Sequence, residues 1–303
     1  MIWQNGWQRW EAIPDVTLDV FHWTGSPTGK SAVIIAGIHG DEYEGPAAIA
    51  DFVAGLDPAR LSGSLTAVPV ANPPAFAAGT RTNPDGMNLA RCFPGDPNGS
   101  RTERLAAALF NRLAHGADYL IDLHSGGIEY VFLPVAGFYG EASPRNRSFC
   151  AARQFGLPAL WQLPETNGVL SWEASKRGAV AIGNEYGGAA QLSAEGARAY
   201  REGIIRCLAY WDLYDTPTSP PVRQQLLFGD WQLAGVTGLF RSQVSLGQRV
   251  AADQLLAVTV SPGGAVIEEF IAATDGIVGG LRSKAFIREG NWAVLVQKES
   301  DAE

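Results

Sequence analysis

Four short apolar runs, spaced along the first two-thirds of the chain, most constrain how it can fold. They are Ser31-Ala-Val-Ile-Ile-Ala-Gly37, Leu65-Thr-Ala-Val-Pro-Val70, Tyr119-Leu-Ile-Asp-Leu-His124 and a run that begins Ala179-Val-Ala-Ile182. Uninterrupted apolar residues at strand length suit strands buried on both faces, the pattern of a largely parallel sheet. Pro69 weakens the second run, because proline has no N–H to give to a ladder. Helix-like segments lie between the runs. Ser100 and Glu103 have capping-box spacing ahead of Leu105, Leu109 and Leu113, and His115-Gly116 closes that helix. Another starts at Ser193 and carries Ala197, Tyr200, Ile204, Leu208 and Trp211 on one side.

This alternation predicts an α/β fold, a doubly wound mixed sheet with helices on both faces. It stops at Thr216-Pro-Thr-Ser-Pro-Pro221, where prolines follow the end of a helix-like segment. Beyond it, short strand-like runs are split by Ser261-Pro-Gly-Gly264, Asp275-Gly276 and Glu289-Gly-Asn291. The expected organisation is a larger domain over 1–222 and a small all-β C-terminal domain over 223–303.

With 303 residues, 46% of them apolar, the chain can bury a sizeable core. No uncharged apolar run approaches the roughly 18 residues needed to cross a bilayer. The opening Met1-Ile-Trp-Gln-Asn-Gly-Trp7 lacks the basic-then-apolar order of a secretion signal, so a soluble cytoplasmic protein with no membrane partner is expected. A net charge of −8 argues against a nucleic-acid partner, whose phosphates need a basic face. Cys92, Cys150 and Cys207 stand far apart and are odd in number, which gives neither a disulfide framework nor a cysteine metal site.

There are four histidines, so each can be weighed singly. His115 sits in a last helical turn before glycine, where an imidazolium suits the dipole. His22, in Asp19-Val-Phe-His-Trp23, reads as a strand residue outside any motif. His39 follows the first strand in Gly37-Ile-His-Gly-Asp-Glu-Tyr-Glu-Gly-Pro46, with Glu42 three residues on. In a tight loop entering a helix, that spacing can aim imidazole and carboxylate at one point, a donor pair that suits Zn²⁺. The same pair would also serve as a surface salt bridge. Its place at the C-terminal end of a strand, where open α/β sheets bind ligands, favours the metal.

His124 closes another buried strand, in Asp122-Leu-His-Ser-Gly-Gly127, and supplies a third ligand. Three protein ligands leave one position open, as in catalytic zinc sites. Asp122 lies on the same side of the strand and either orients an imidazole or makes a structural hydrogen bond. Glu185, in Ile182-Gly-Asn-Glu-Tyr-Gly-Gly188, is read as ending the fourth strand, where a carboxylate can take a proton from water and return it to a leaving nitrogen.

Taken in order, His39-Gly-Asp-Glu42, Asp85-Gly-Met-Asn-Leu-Ala-Arg-Cys-Phe-Pro-Gly95, Asp122-Leu-His124 and Glu185 resemble the succinylglutamate desuccinylase/aspartoacylase family, a branch of the zinc carboxypeptidase superfamily. The wording of Asp122–Gly127 is most similar to bacterial N-acyl amino acid deacylases. The resemblance covers residues 37–188 well and the tail loosely. It implies a zinc-carboxypeptidase-like sheet, one Zn²⁺ per chain on His39, Glu42 and His124, and Glu185 as the catalytic glutamate. It also implies Arg81 as the arginine that polarises the scissile carbonyl and Arg91 as the one that grips a substrate carboxylate; a guanidinium's fixed charge and planar fork suit both roles.

One departure stands out. Many relatives have Asn-Arg where this chain has Ala90-Arg91, and alanine cannot hydrogen-bond a carboxylate. Asn88 is the nearby candidate to complete that clamp. The expected activity is therefore hydrolysis of an amide in a small N-acyl substrate. A carboxypeptidase-like peptidase on short or modified peptides and a non-catalytic zinc- or ligand-binding relative are the rival readings. The sequence leaves a homo-oligomer open.

Overall fold

A computed structural model describes residues 3–25 and 29–301 of the chain. In order, the elements are β1 (Gly6–Ile13), β2 (Val16–Thr24), β3 (Ser31–Ala36), α1 (Glu44–Ala54), β4 (Ser64–Val68), α2 (Pro73–Ala78), α3 (Arg101–Leu109), β5 (Tyr119–His124), β6 (Tyr130–Phe138), α4 (Arg147–Phe155), β7 (Ala159–Gln162), α5 (Leu170–Ser175), β8 (Val180–Gly188) and α6 (Ala194–Tyr210). Strands alone follow: β9 (Gln225–Phe228), β10 (Trp231–Leu233), β11 (Gly238–Ser242), β12 (Arg249–Val250), β13 (Leu255–Val260), β14 (Val266–Ile271), β15 (Gly276–Arg282), β16 (Phe286–Ile287) and β17 (Trp292–Asp301).

At the centre, β4, β3, β5 and β8 lie side by side and parallel. Their side chains alternate between two cores, so a continuous apolar run feeds both faces. Ala32, Ile34, Ala36, Ile121, Leu123 and Ile182 pack with α1, α4 and α6 on one face. Val33, Ile35, Leu120 and Ala181 pack with α3 and α5 on the other. Helices therefore cover both faces, as expected. β4 stops at Val68, one residue before Pro69. The capping box at Ser100 and Glu103 is formed, and Ser193 caps α6 through the Gly196 N–H. α3 runs on through a wider helical turn over Phe110–Ala114, ending at His115 and Gly116.

Two expectations change. β8 does not end at Glu185: it continues to Gly188, because the antiparallel β6 goes on pairing with it through Gly187 and Gly188. The β-rich tail, moreover, is not a separate layer. β6 pairs with β7, β7 with β9, β9 with β17, β17 with β15, and β15 returns to β6, which closes a five-stranded barrel. Two of its strands precede the proline-rich segment and three follow it. β14, β13, β11 and β16 form a separate sheet packed onto this barrel through Phe240, Leu256, Phe270 and Val278.

Candidate active site

The chain leaves β3 to reach β4 on one side, then returns to β5 on the other. The C-terminal ends of β3 and β5 thus form a switch point in the strand order, where an open sheet leaves a crevice. Gly37 opens the loop after β3 with φ +63°, and a Cβ there would come within 2.9 Å of Val70 Cα. That turn carries His39 and Glu42 to the entrance of α1. His124 is the last residue of β5, and Glu185 is its register partner on β8.

The side chains converge. His39 Nδ1 lies 2.7 Å from Glu42 Oε1, and His124 Nδ1 lies 3.0 Å from Glu42 Oε2. One donor atom from each residue falls within 4.8 Å of the other two, so the cluster could hold a metal ion. The far nitrogens are held as well. His39 Nε2 sits 3.0 Å from Asn88 Oδ1, and His124 Nε2 sits 3.1 Å from Asp122 Oδ1, the latter too poorly aligned for a full hydrogen bond. Two imidazoles with Nδ1 turned inward and Nε2 anchored outward, plus one carboxylate, fit a divalent ion that accepts nitrogen and oxygen ligands.

Electrostatics follow from burial and neighbours. Burial lowers the His39 pKa to about 4, with the Arg81 charge adding to the effect, so its imidazole is neutral at pH 7. For His124, burial is outweighed by Asp122 and Glu42, which raise it well above the usual imidazole value. Burial alone would raise the Glu42 carboxyl, but the two histidines hold it well below the usual carboxylate range. Glu185 moves the other way. Burial pushes it well above its usual value, against the pull of His124 and Arg81.

Arg81 Nη1 donates to Glu42 Oε1 at 3.1 Å, and its guanidinium stands 5.9 Å from the Tyr130 ring centre. Arg91 is exposed but lines the same cavity, and it donates from Nη1 to Ala90 O at 2.8 Å. His39, Arg81, Arg91, His124 and Glu185 all line one cavity of about 160 Å³. Asn88 does not. It lines an adjoining recess with Arg81 and Arg91, and its Oδ1 also accepts the Ala90 N–H at 2.9 Å. The remaining histidines lie elsewhere: His22 is buried on β2 between Thr66 and Thr24, and His115 ends the helical segment after α3.

Some contributors were not foreseen. The Ser125 N–H donates to Glu42 Oε2 at 3.1 Å, and Tyr200 OH donates to His124 O at 2.6 Å. Tyr200 is visible in the sequence only as part of an apolar helix face. Trp231 and Trp292, from beyond the proline-rich segment, also line the cavity, and no local pattern could have placed them there.

A two-sided sheet with a His–Glu–His cluster beside a half-buried carboxylate has clear relatives. Residues 28–211 match the succinylglutamate desuccinylase/aspartoacylase catalytic domain, and the chain belongs to this family. It is 30% identical over 280 residues to the N-alpha-acetyl-L-2,4-diaminobutyric acid deacetylase of Halomonas elongata, a match spanning 88% of this chain and 82% of that one. Its structure is similar to product-bound EutE (DoeB), the ectoine utilization protein of Ruegeria pomeroyi, with TM-score 0.87, 27% identity and coverage of 97% and 96%. It is also similar to a succinylglutamate desuccinylase/aspartoacylase from Rhodobacter sphaeroides, with TM-score 0.85, 27% identity and coverage of 98% and 96%. Among the described residues, no helix is long and apolar enough to cross a membrane.

Proposed function

We propose that the protein is a zinc-dependent amidohydrolase that deacylates a small N-acyl amino acid or a related compound in the cytoplasm. The carrying observation is the meeting of His39, Glu42 and His124, from two adjacent strand ends, with Glu185 paired beside His124 and lining the same cavity. Family membership and a deacetylase relative support the reaction class. The parallel centre with helices on both faces agrees with a zinc-carboxypeptidase-like ancestry.

His39, Glu42 and His124 would hold one Zn²⁺ per chain. When bound, zinc supplies a Lewis acid that polarises the amide carbonyl and eases deprotonation of water. Glu185 takes the proton from the attacking water, a task suited to a carboxylate whose proton affinity burial has raised. The water oxygen joins the acyl carbon and the C–N bond breaks. Glu185 returns the proton to nitrogen, leaving a carboxylic acid and a free amine. Arg81, beside Glu42, offers its guanidinium to the developing oxyanion. Arg91 orients the substrate carboxylate. The Oδ1 of Asn88 is taken up by His39 and Ala90, so its Nδ2 is the group left for that carboxylate.

The test is a hydrolysis screen of N-acetyl, N-succinyl and N-formyl amino acids beside short peptides, with and without chelator. Chelator-sensitive turnover of an N-acyl amino acid is expected. Turnover of peptides alone would move the protein to the peptidases, and no metal-dependent turnover of any amide would leave a binding protein.

A further inference from the structure

The cavity does not stop at the metal-ligand cluster. An apolar part of its wall is built from Phe132, Trp161, Leu163, Val169, Trp231 and Trp292. The rings brace one another. Trp231 and Trp292 are stacked with 5.1 Å between centroids and 8° between planes, and Phe132 meets Trp231 edge-on at 5.4 Å. Tyr130 packs against both tryptophans at 5.4 Å. A ring held by its neighbours loses little freedom when a ligand lies against it, so the wall is a preformed apolar surface. Ala90 adds a methyl group to the same lining.

We propose, on the basis of the deacylase reading, that this wall receives a flat apolar group of the substrate, an aryl ring above all, so that the preferred substrate is an N-acyl amino acid bearing an aromatic substituent. Arg81 and Arg91 are taken by the oxyanion and the first carboxylate, so a second carboxylate would find no further guanidinium or amine in the lining. A cationic group would share a small cavity with the guanidinium groups of Arg81 and Arg91, and the lining carboxylate other than Glu185, Asp230, is exposed. An aryl ring meets none of these costs and buries apolar area against fixed rings. The ring can sit on the amine side or on the acyl side of the scissile bond, because the wall reads its shape and polarity only.

The experiment compares kcat/KM of the zinc-loaded protein for N-acetyl-L-phenylalanine and N-benzoylglycine with that for N-acetyl-L-aspartate and N-acetyl-L-2,4-diaminobutyrate. At least about a tenfold preference for one aryl substrate is expected, the scale of discrimination by one apolar contact surface, and the member that wins tells which side carries the ring. In Trp231→Ala the ratio of aryl to non-aryl kcat/KM should collapse toward one, chiefly through KM. Equal rates, or preference for the acidic or cationic substrate, would overturn the proposal. Calorimetric binding of 3-phenylpropanoate against butanoate reads the wall without turnover. Tighter 3-phenylpropanoate supports the wall as an aryl site even if no amide is cleaved, a result that would defeat the deacylase reading and the substrate drawn from it, and equal affinity refutes the aryl site.

Discussion

Both oxygens of Glu42 are engaged, Oε1 by His39 and Arg81 and Oε2 by His124 and the Ser125 N–H. A buried carboxylate so surrounded stays ionised, which is what a ligand for a divalent ion requires. His124 carries the opposite requirement. Asp122 and Glu42 favour its protonated form, yet only the neutral ring can bind a metal. Zinc affinity should therefore fall as pH is lowered, by about tenfold per unit once His124 holds its proton; metal titrations from pH 6 to 8 that show no slope would contradict this. Replacing His124 by Ala should abolish stoichiometric zinc, and full metal content in the variant would remove it from the ligand set. Glu185→Gln keeps size and removes the proton acceptor. It should retain zinc but lose about 100-fold or more in kcat, whereas loss of metal together with activity would make Glu185 a ligand. These residues were legible because the chain has few histidines and the motifs occur in a fixed order. Tyr200 was not, since one hydroxyl on an apolar helix face looks like core until the fold brings it against His124 O.

Strand ends and the loops that leave them set the aim of these side chains. The turn from β5 into β6 carries Gly127 at φ +56°, and a Cβ there would fall 2.4 Å from Asp41 Oδ2. Asp41 is buried and accepts the Ile128 N–H, so it ties this turn to the loop that bears His39 and Glu42. Gly127→Ala should therefore destabilise the protein by about 1–3 kcal/mol. A thermal midpoint within about 1 °C of the parent would show that the turn yields without cost. The alternating strands and helices were readable because a run such as Val33–Ala36 is apolar at every position and fills two cores at once. The length of β8 was not. Gly187 and Gly188 look like a turn in sequence and do take positive φ, and it is pairing with β6 that keeps them within the strand.

For the molecule as a whole, the barrel decides whether the two parts of the chain can stand alone. Arg282 on β15 is in register with Tyr130 on β6, a pairing between distant segments that no local pattern could announce. The proline-rich segment marks a change in element type, yet the hydrogen-bonded sheet runs across it. A chain ended at residue 222 would lose β9, β15 and β17, three of the strands that close the barrel. It would leave β15's edge of β6 unpaired and uncover Tyr130, Phe132 and Trp161, all buried in the intact protein. It would also take away Trp231 and Trp292, and with them much of the cavity wall. Bare strand edges flanked by exposed aromatic rings favour association over folding. The shortened chain should accumulate as aggregate, bind hydrophobic dyes and show no cooperative unfolding, although it keeps every proposed zinc ligand. A soluble 1–222 chain that binds zinc stoichiometrically and unfolds in one sharp transition would instead establish the catalytic part as an independent folding unit, with the barrel serving only to shape the cavity.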